Sequence, residues 1–306
     1  MNVKEITLQP IADFSSSVSG FKFVSVSLGF DGAIYLLLVD RVPGKLRDGF
    51  EATVTRINHT YKVIRLTVDS AAEIDLHDQK YNFHFVQPID DVHFLLVGAR
   101  ARYRGKSNFD RNGVIFDNYA RPVRHLLLGD GIRRVQTTKS GNIWVAYTDE
   151  GVYGNYGWRK PIGSHGLCVF DSYGNLVRHN EQQLIDDCLG LNVVSDDQAY
   201  FYYYSDYELV RCTGKRMVAH PAGIKGAGNF LFAGGMFLYE KNVFDGGKFA
   251  LMQDQRESGF EHVEDWRFLD ENDEVLNPPP LYRAFRGDTM VMLNDAKVYR
   301  MKLMIR

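Results

Sequence analysis

Arginine and large aromatic side chains crowd into two short stretches of this chain. One holds Arg100, Arg102, Tyr103, Arg104, Lys106, Phe109, Asp110 and Arg111; the other holds Tyr153, Tyr156, Trp158, Arg159 and Lys160. A third stretch adds Arg41, Lys45 and Arg47. The chemistry these residues support is non-covalent. Guanidinium groups make forked, charge-assisted hydrogen bonds to carboxylates and phosphates, and Trp, Tyr and Arg are the types in which binding energy concentrates. An acidic protein surface, an RNA strand or another anionic ligand would suit them. A plainer account stands beside this one. The alternation in Arg100-Ala101-Arg102-Tyr103-Arg104 is also what the solvent face of a long strand looks like, and Tyr153, Tyr156 and Trp158 would also serve to cap a hydrophobic core.

Groups for covalent chemistry are scarce. The sequence has no GxSxG elbow, no Walker-type glycine loop and no HExxH. Gly226-Ala227-Gly228 lacks the third glycine of a dinucleotide fingerprint. His84, His93, His165 and His262 show no metal-ligand spacing, and Cys168, Cys188 and Cys212 form no CxxC pair. Carboxylates recur at Asp31, Asp90, Asp91, Asp196, Asp197 and Asp288. Hard cations such as calcium want oxygen ligands of this kind, but each of these aspartates falls where a tight turn is expected, and Asp is a turn former in its own right. No metal, cofactor or catalytic residue is therefore expected.

The elements that must carry these residues announce themselves as a repeat: a short strand, a tight polar turn, then an apolar or aromatic strand. Copies run from Ser27 to Leu38, Val86 to Val97, Val135 to Tyr147 and Asn192 to Tyr203, with weaker ones from Phe230 to Tyr239 and Ala284 to Leu293. Asp31-Gly32 and Ser140-Gly141-Asn142 supply turn residues that accept positive φ at little cost. A second hairpin follows in most copies: Leu167–Asp171 with Asn175–Arg178, Val114–Asp117 with Val123-Arg124, Glu208–Arg211 with Lys215–Val218, and Trp266–Asp270 with Glu274–Leu276. Two hairpins make four strands, a to d. The last copy has three, and Val3–Leu8 from the N-terminus is expected to be its fourth, which would leave no free sheet edge. Asn180 to Gly190, with Leu184, Ile185, Cys188 and Leu189 spaced as on one helical face, predicts one or two helical turns.

The segment Ile132 to Gly154, with its Gly141-Asn142-Ile143-Trp144-Val145 core and Asp149-Glu150-Gly151-Val152-Tyr153 after it, resembles the blade repeats of sensor-type bacterial β-propellers. That resemblance implies a fold and no particular activity. With six copies at propeller-like spacing, the expectation is an all-β, six-bladed β-propeller spanning 1–306 as a single domain, with seven blades if residues 241–265 hide another. The chain has 306 residues, 45% hydrophobic and 24% charged, and a net charge of −2. Neither disorder nor a global attraction to nucleic acid follows from those values. With no signal-like start and no apolar run of membrane-spanning length, the chain is expected to be cytoplasmic, to make no membrane contact and to be a monomer on its own.

In blade topology the a–b and c–d turns share one face, while the b–c loops lie on the other. The b–c loops are long in the first three copies, at about residues 40–50, 99–113 and 149–165, so loop length gathers on one face. The expected function is non-catalytic binding of a macromolecule there, through Arg100, Arg102, Tyr103, Arg104, Tyr153, Tyr156, Trp158 and Arg159. The partner expected is a protein, most concretely a bacterial toxin or nuclease held by its immunity protein, with RNA as an alternative ligand. Rival readings are a metal-dependent propeller enzyme, a lactonase-like hydrolase or lyase, and a sugar-binding lectin.

Overall fold

The apolar runs that follow each polar turn fold as the second strands of four-stranded antiparallel sheets. A computed structural model establishes this and describes residues 3–46, 49–241, 247–255 and 259–304. At the start of the chain lie β1 (Val3–Thr7) and β2 (Pro10–Asp13). The first sheet is β3 (Lys22–Leu28), β4 (Ile34–Val39), β5 (Val54–Leu66) and β6 (Ala71–Tyr81). The second is β7 (Phe85–Pro88), β8 (His93–Val97), β9 (Gly113–Asp117) and β10 (Pro122–Leu126). The third is β11 (Ile132–Thr137), β12 (Ile143–Tyr147), β13 (Leu167–Phe170) and β14 (Leu176–His179), with a short helix α1 (Asp149–Tyr153) after β12. The fourth is β15 (Asp187–Val193), β16 (Gln198–Tyr204), β17 (Glu208–Thr213) and β18 (Arg216–Pro221). The fifth contains β19 (Phe230–Ala233), β20 (Met236–Glu240), β21 (Lys248–Asp254) and β22 (Phe260–Leu269), and the sixth β23 (Arg283–Arg286), β24 (Thr289–Asn294) and β25 (Lys297–Lys302).

Burial follows strand position. Every residue of β4 and of β12 is buried, whereas the outer strand β14 has none that is. A strand covered on both faces can be apolar throughout, and an edge strand facing water cannot. Residues 20–188 form one compact unit, and residues 1–19 with 189–306 form a second. In the first unit Tyr35, Leu37, Tyr61, Phe83, Phe94 and Phe116 pack into one core. In the second, one cluster forms around Phe237 and Tyr239 and another around Phe249, Phe268 and Phe285.

Several expectations are corrected. The strand that completes the sixth sheet is β2, antiparallel to β25, and not Val3–Leu8. β1 instead lies parallel to β22, from Val3 opposite Asp265 to Thr7 opposite Leu269, as a fifth strand of the fifth sheet. The hairpin read at Trp266–Leu276 is not a c–d pair: β22 is the d strand, its c partner is β21, and Val275 only bridges back to Leu269. The described residues of 241–265 thus hold strands of the fifth sheet and, among them, none of a seventh. No helix forms at 180–190. The buried Asn180 accepts the amides of Gln182 and Gln183 on its Oδ1 and donates from Nδ2 to the Gln183 and His165 carbonyls. These bonds offer the backbone an alternative to a helix, and β15 starts at Asp187.

Deletion of residues 1–14 removes β2 and leaves β25 with an open edge, so this variant is expected to aggregate. Deletion of residues 1–8 removes only the outermost strand, along with Ile6 and Leu8, which pack on the core. It is expected to stay soluble and melt lower. Light scattering and thermal melting separate the two. A soluble, normally melting 1–14 deletion would show that β2 does not seal the sixth sheet.

Candidate functional site

The three long loops all belong to the 20–188 unit. They join β4 to β5, β8 to β9, and β12 to β13, the last carrying α1. In the second unit the corresponding turns after β16 and β24 are only a few residues long.

Asp110 organises the second loop. Its carboxylate accepts the Thr53 hydroxyl at 2.5 Å, the Arg102 amide at 3.0 Å and the forked Arg104 guanidinium at 2.7 and 3.2 Å. Burial pushes its pKa up, but these donors outweigh burial and hold the group below its ordinary value. The third loop lies against the second: the Tyr103 amide donates to the Tyr156 carbonyl at 2.9 Å and Trp158 Nε1 donates to the Ala101 carbonyl at 2.6 Å. The Trp158 ring sits 4.8 Å from Tyr103 and 6.3 Å from Phe109. Gly157, at φ +90°, lets the two segments approach: a Cβ there would stand 2.2 Å from the Tyr103 carbonyl oxygen. The first loop joins through the Tyr156 hydroxyl, which donates to the Glu51 carbonyl at 2.8 Å, and through Phe50, edge-on to Tyr156 at 6.0 Å.

Arg100 lies beneath the junction. It donates to Asp130 through Nε and Nη2 at 2.9 and 3.0 Å, pairs with Glu150, and stacks 4.3 Å from the Tyr156 ring. Asp130 is 1% exposed, and burial raises its pKa although Arg100 works to lower it.

The side chains singled out from the sequence therefore divide. Trp158 is buried and Arg100 is paired internally. Tyr103 and Tyr156 are half-buried in the junction, and Arg104 is spent partly on Asp110. Tyr153 is exposed, its hydroxyl on Asp186. Arg102 and Arg159 are exposed, with no ion-pair partner among the described residues; the same holds for Lys106, Arg111 and Lys160. Arg41 and Lys45 are also exposed, Lys45 3.9 Å from Glu51, and Arg47 lies outside the described residues. Sequence reasoning missed Asp130 and Thr53. Each lies 29 or more residues from its partners on the second loop, so no local pattern points to them.

The turn aspartates lie elsewhere. Asp31, Asp90 and Asp91 line a pocket of about 530 Å³ with Tyr35, Arg65 and His93. Asp31 is taken up by Tyr35 and Arg65, both at 2.9 Å, and Asp90 by the Val92 and His93 amides and the His93 ring. Among the described residues no group of three or more His, Cys, Asp or Glu is arranged to hold a metal ion, and no helix is long and apolar enough to cross a membrane.

No family model and no curated protein matches the chain. Solved structures do. A calcium-binding protein, regucalcin from Agrobacterium tumefaciens, superposes with a TM-score of 0.52 at 11% identity over 98% of this chain and 95% of that one. Six such sheets in this likeness decide the fold. The chain is a six-bladed β-propeller. At 11% identity the likeness reaches the fold and not calcium binding. The β-propeller domain of Cps50 (Swd1) from Myceliophteria thermophila matches at 0.48 and 9% identity, covering 93% of this propeller and all of that chain. YCF48 bound to a D1 peptide matches at 0.47 and 9%, covering 94% and 96%.

Proposed function

We propose that this propeller is a non-catalytic binding protein whose three long loops engage an acidic macromolecular surface. The observation that carries the reading is the cross-tied platform itself. Three loops from successive blades are fixed to one another by Asp110, Arg100 and Trp158. The second loop carries five Arg and Lys against one Asp in a chain of net charge −2. A rigid platform with unpaired cations on its outside loses little entropy on binding and steers an acidic partner toward it. In this reading Arg102 and Arg159 contact the partner with Tyr153, while Arg100, Tyr103, Arg104, Tyr156 and Trp158 hold the platform in shape. A toxin or nuclease neutralised by this chain as its immunity protein is the concrete version that fits a small binder.

Reversing Arg102 and Arg159 to Glu is expected to slow association about tenfold or more and to flatten its salt dependence. Melting should not change, because both side chains are exposed. The partner captured from the host by the immobilised protein provides the readout, and Lys139→Glu, in the exposed β11–β12 turn, is the control. Undiminished capture by the double reversal, or loss of capture by the Lys139 variant, would place the site elsewhere. Capture that ribonuclease abolishes would identify the ligand as RNA.

A further inference from the structure

At the strand ends away from the long loops, the first two sheets leave a cleft between them. β4 begins at Ile34, beside the Asp31 turn, and meets the first long loop only after Val39. The cleft has a volume of about 530 Å³. Register builds one of its sides. Tyr35 stands opposite Arg65 and Arg65 opposite Ala72, while Val63 stands opposite Ile74 two residues along, so all five share one face of the first sheet. His93 and Phe94 of β8, with the turn residues Asp90, Asp91 and Asn118, form the other side. The charges here are unevenly matched. Arg65 donates to Asp31 at 2.9 Å and to the Tyr35 hydroxyl at 3.0 Å. Lys62, just outside, is divided between Glu73 at 2.6 Å and Asp75 at 3.2 Å. Asp90 accepts two amides and meets the His93 ring. The Asp91 carboxylate has no hydrogen-bond or ion-pair partner among the described residues; Asn118 reaches only its backbone carbonyl.

We propose that this cleft binds a small organic ammonium ion, with its charged head at Asp90 and Asp91 and its apolar body against Tyr35, Val63, Ile74 and Phe94. The volume falls in the range of about 300–1,000 Å³ usual for small-molecule sites. Four carboxylates line it against one guanidinium, and that guanidinium is already committed to Asp31, so the cleft attracts a cation and repels an anion. Aliphatic and aromatic walls give a hydrated metal ion nothing in return, and among the described residues no group of three or more His, Cys, Asp or Glu is arranged to hold one. An organic cation uses both halves of the site: ring faces attract its charge, and its body leaves water against the apolar lining. Tyr35, Val63 and Phe94 are fixed by packing in the first unit's core, with Ile74 against it, so the ligand orders little on arrival. This is a second site, and it does not depend on the platform's binding a macromolecule.

The probe is phenethylamine, titrated into the full chain by calorimetry and followed by amide chemical shifts. Saturable binding is expected, weakened by added salt, with shifts concentrated in residues 31–35, 63–74 and 90–94. Phenethyl alcohol keeps the body without the charge, and ethylamine the charge without the body; each should bind about tenfold or more weakly. Hydrocinnamate, with the opposite charge, should not bind. Asp91→Asn should weaken phenethylamine by about tenfold and leave the alcohol unchanged, a split that damage to the fold would not produce. Ala72→Arg sets bulk and a like charge at the cleft and should weaken the amine as much. Asp91 and Ala72 are exposed, so both variants should fold, and far-UV circular dichroism checks it. The Arg102→Glu, Arg159→Glu double variant should bind phenethylamine as the wild type does. The proposal is overturned by absence of saturable binding, by alcohol and amine binding equally well, or by an Asp91→Asn variant that keeps full affinity for the amine. N-acetyl-lysinamide binding more tightly than phenethylamine would also overturn it, because the occupant would then be a lysine of a partner protein.

Discussion

Replacing Arg100 with alanine is expected to destabilise the protein by about 3–5 kcal/mol, the usual consequence of stranding one member of a buried ion pair. The partner left behind is Asp130, 1% exposed and otherwise bonded to the Ala101 amide at 2.8 Å. Glu150, the second partner, is 32% exposed and can turn to water. A carboxylate without its guanidinium at Asp130 must either stay ionised without compensation or take up a proton, and the penalty then depends on pH. Burial already holds the folded pKa of Asp130 above its ordinary 3.8, and losing Arg100 raises it further. A group whose folded pKa is raised contributes stability that is present below its unfolded pKa and lost as pH rises through the folded value. The deficit of Arg100→Ala should therefore be small near pH 4, widen as pH rises and level off once Asp130 ionises in the variant. Arg100→Met with Asp130→Asn removes both charges and should recover most of the loss, as replacing both partners of a buried pair generally does. Urea unfolding at several pH values measures all of this. If the single variant unfolds like the wild type at neutral pH, Arg100 is not the compensating charge.

The blades were legible because their signals are local. Ser140-Gly141-Asn142 lies between two apolar runs within a dozen residues, and Gly141 does take a positive φ of 81°. The same locality explains the misplaced hairpin. Asp117, Asp171 and Asp270 each accept amides two and four residues on through Oδ1. Asp117 ends a c strand and Asp171 follows one, whereas Asp270 follows a d strand, a distinction of topology that turn chemistry does not encode. β1 could not be placed because its parallel partner lies some 260 residues away. The loops show the same limit. Arg100 and Arg102 are two residues apart in an alternating run and look alike in sequence. One is buried on Asp130 and Glu150, the other exposed. What separates them is a carboxylate 30 residues on and another 50 residues on, brought near only after neighbouring blades pack.

Truncation of Trp158 to alanine is the second large effect, again about 3–5 kcal/mol by analogy with buried aromatic deletions. As a surface anchor its loss would leave the fold untouched and speed dissociation of the partner. The structure makes it a pin. Trp158 is 9% exposed, its ring packs against Tyr103 and Phe109, and its Nε1 closes a 2.6 Å bond to Ala101. Its removal empties the space between the second and third loops and orphans the Ala101 carbonyl. The opening should be concentrated there, with amides in 99–112 and 154–160 exchanging faster while those of β8 and β12 keep their protection. Trp158→Phe retains the packing and loses the hydrogen bond, so about 1–3 kcal/mol is expected from the unsatisfied acceptor. Arg159→Glu, one residue away and exposed, should leave exchange and melting alone and act on association only. Trp158→Ala will weaken the partner too, but through the disordered platform, so weakened binding should track loop exchange across the series. A Trp158→Ala protein with native loop protection and fast dissociation would reverse the assignment, making the indole a contact residue and leaving the cohesion of the platform to Asp110 and Arg100.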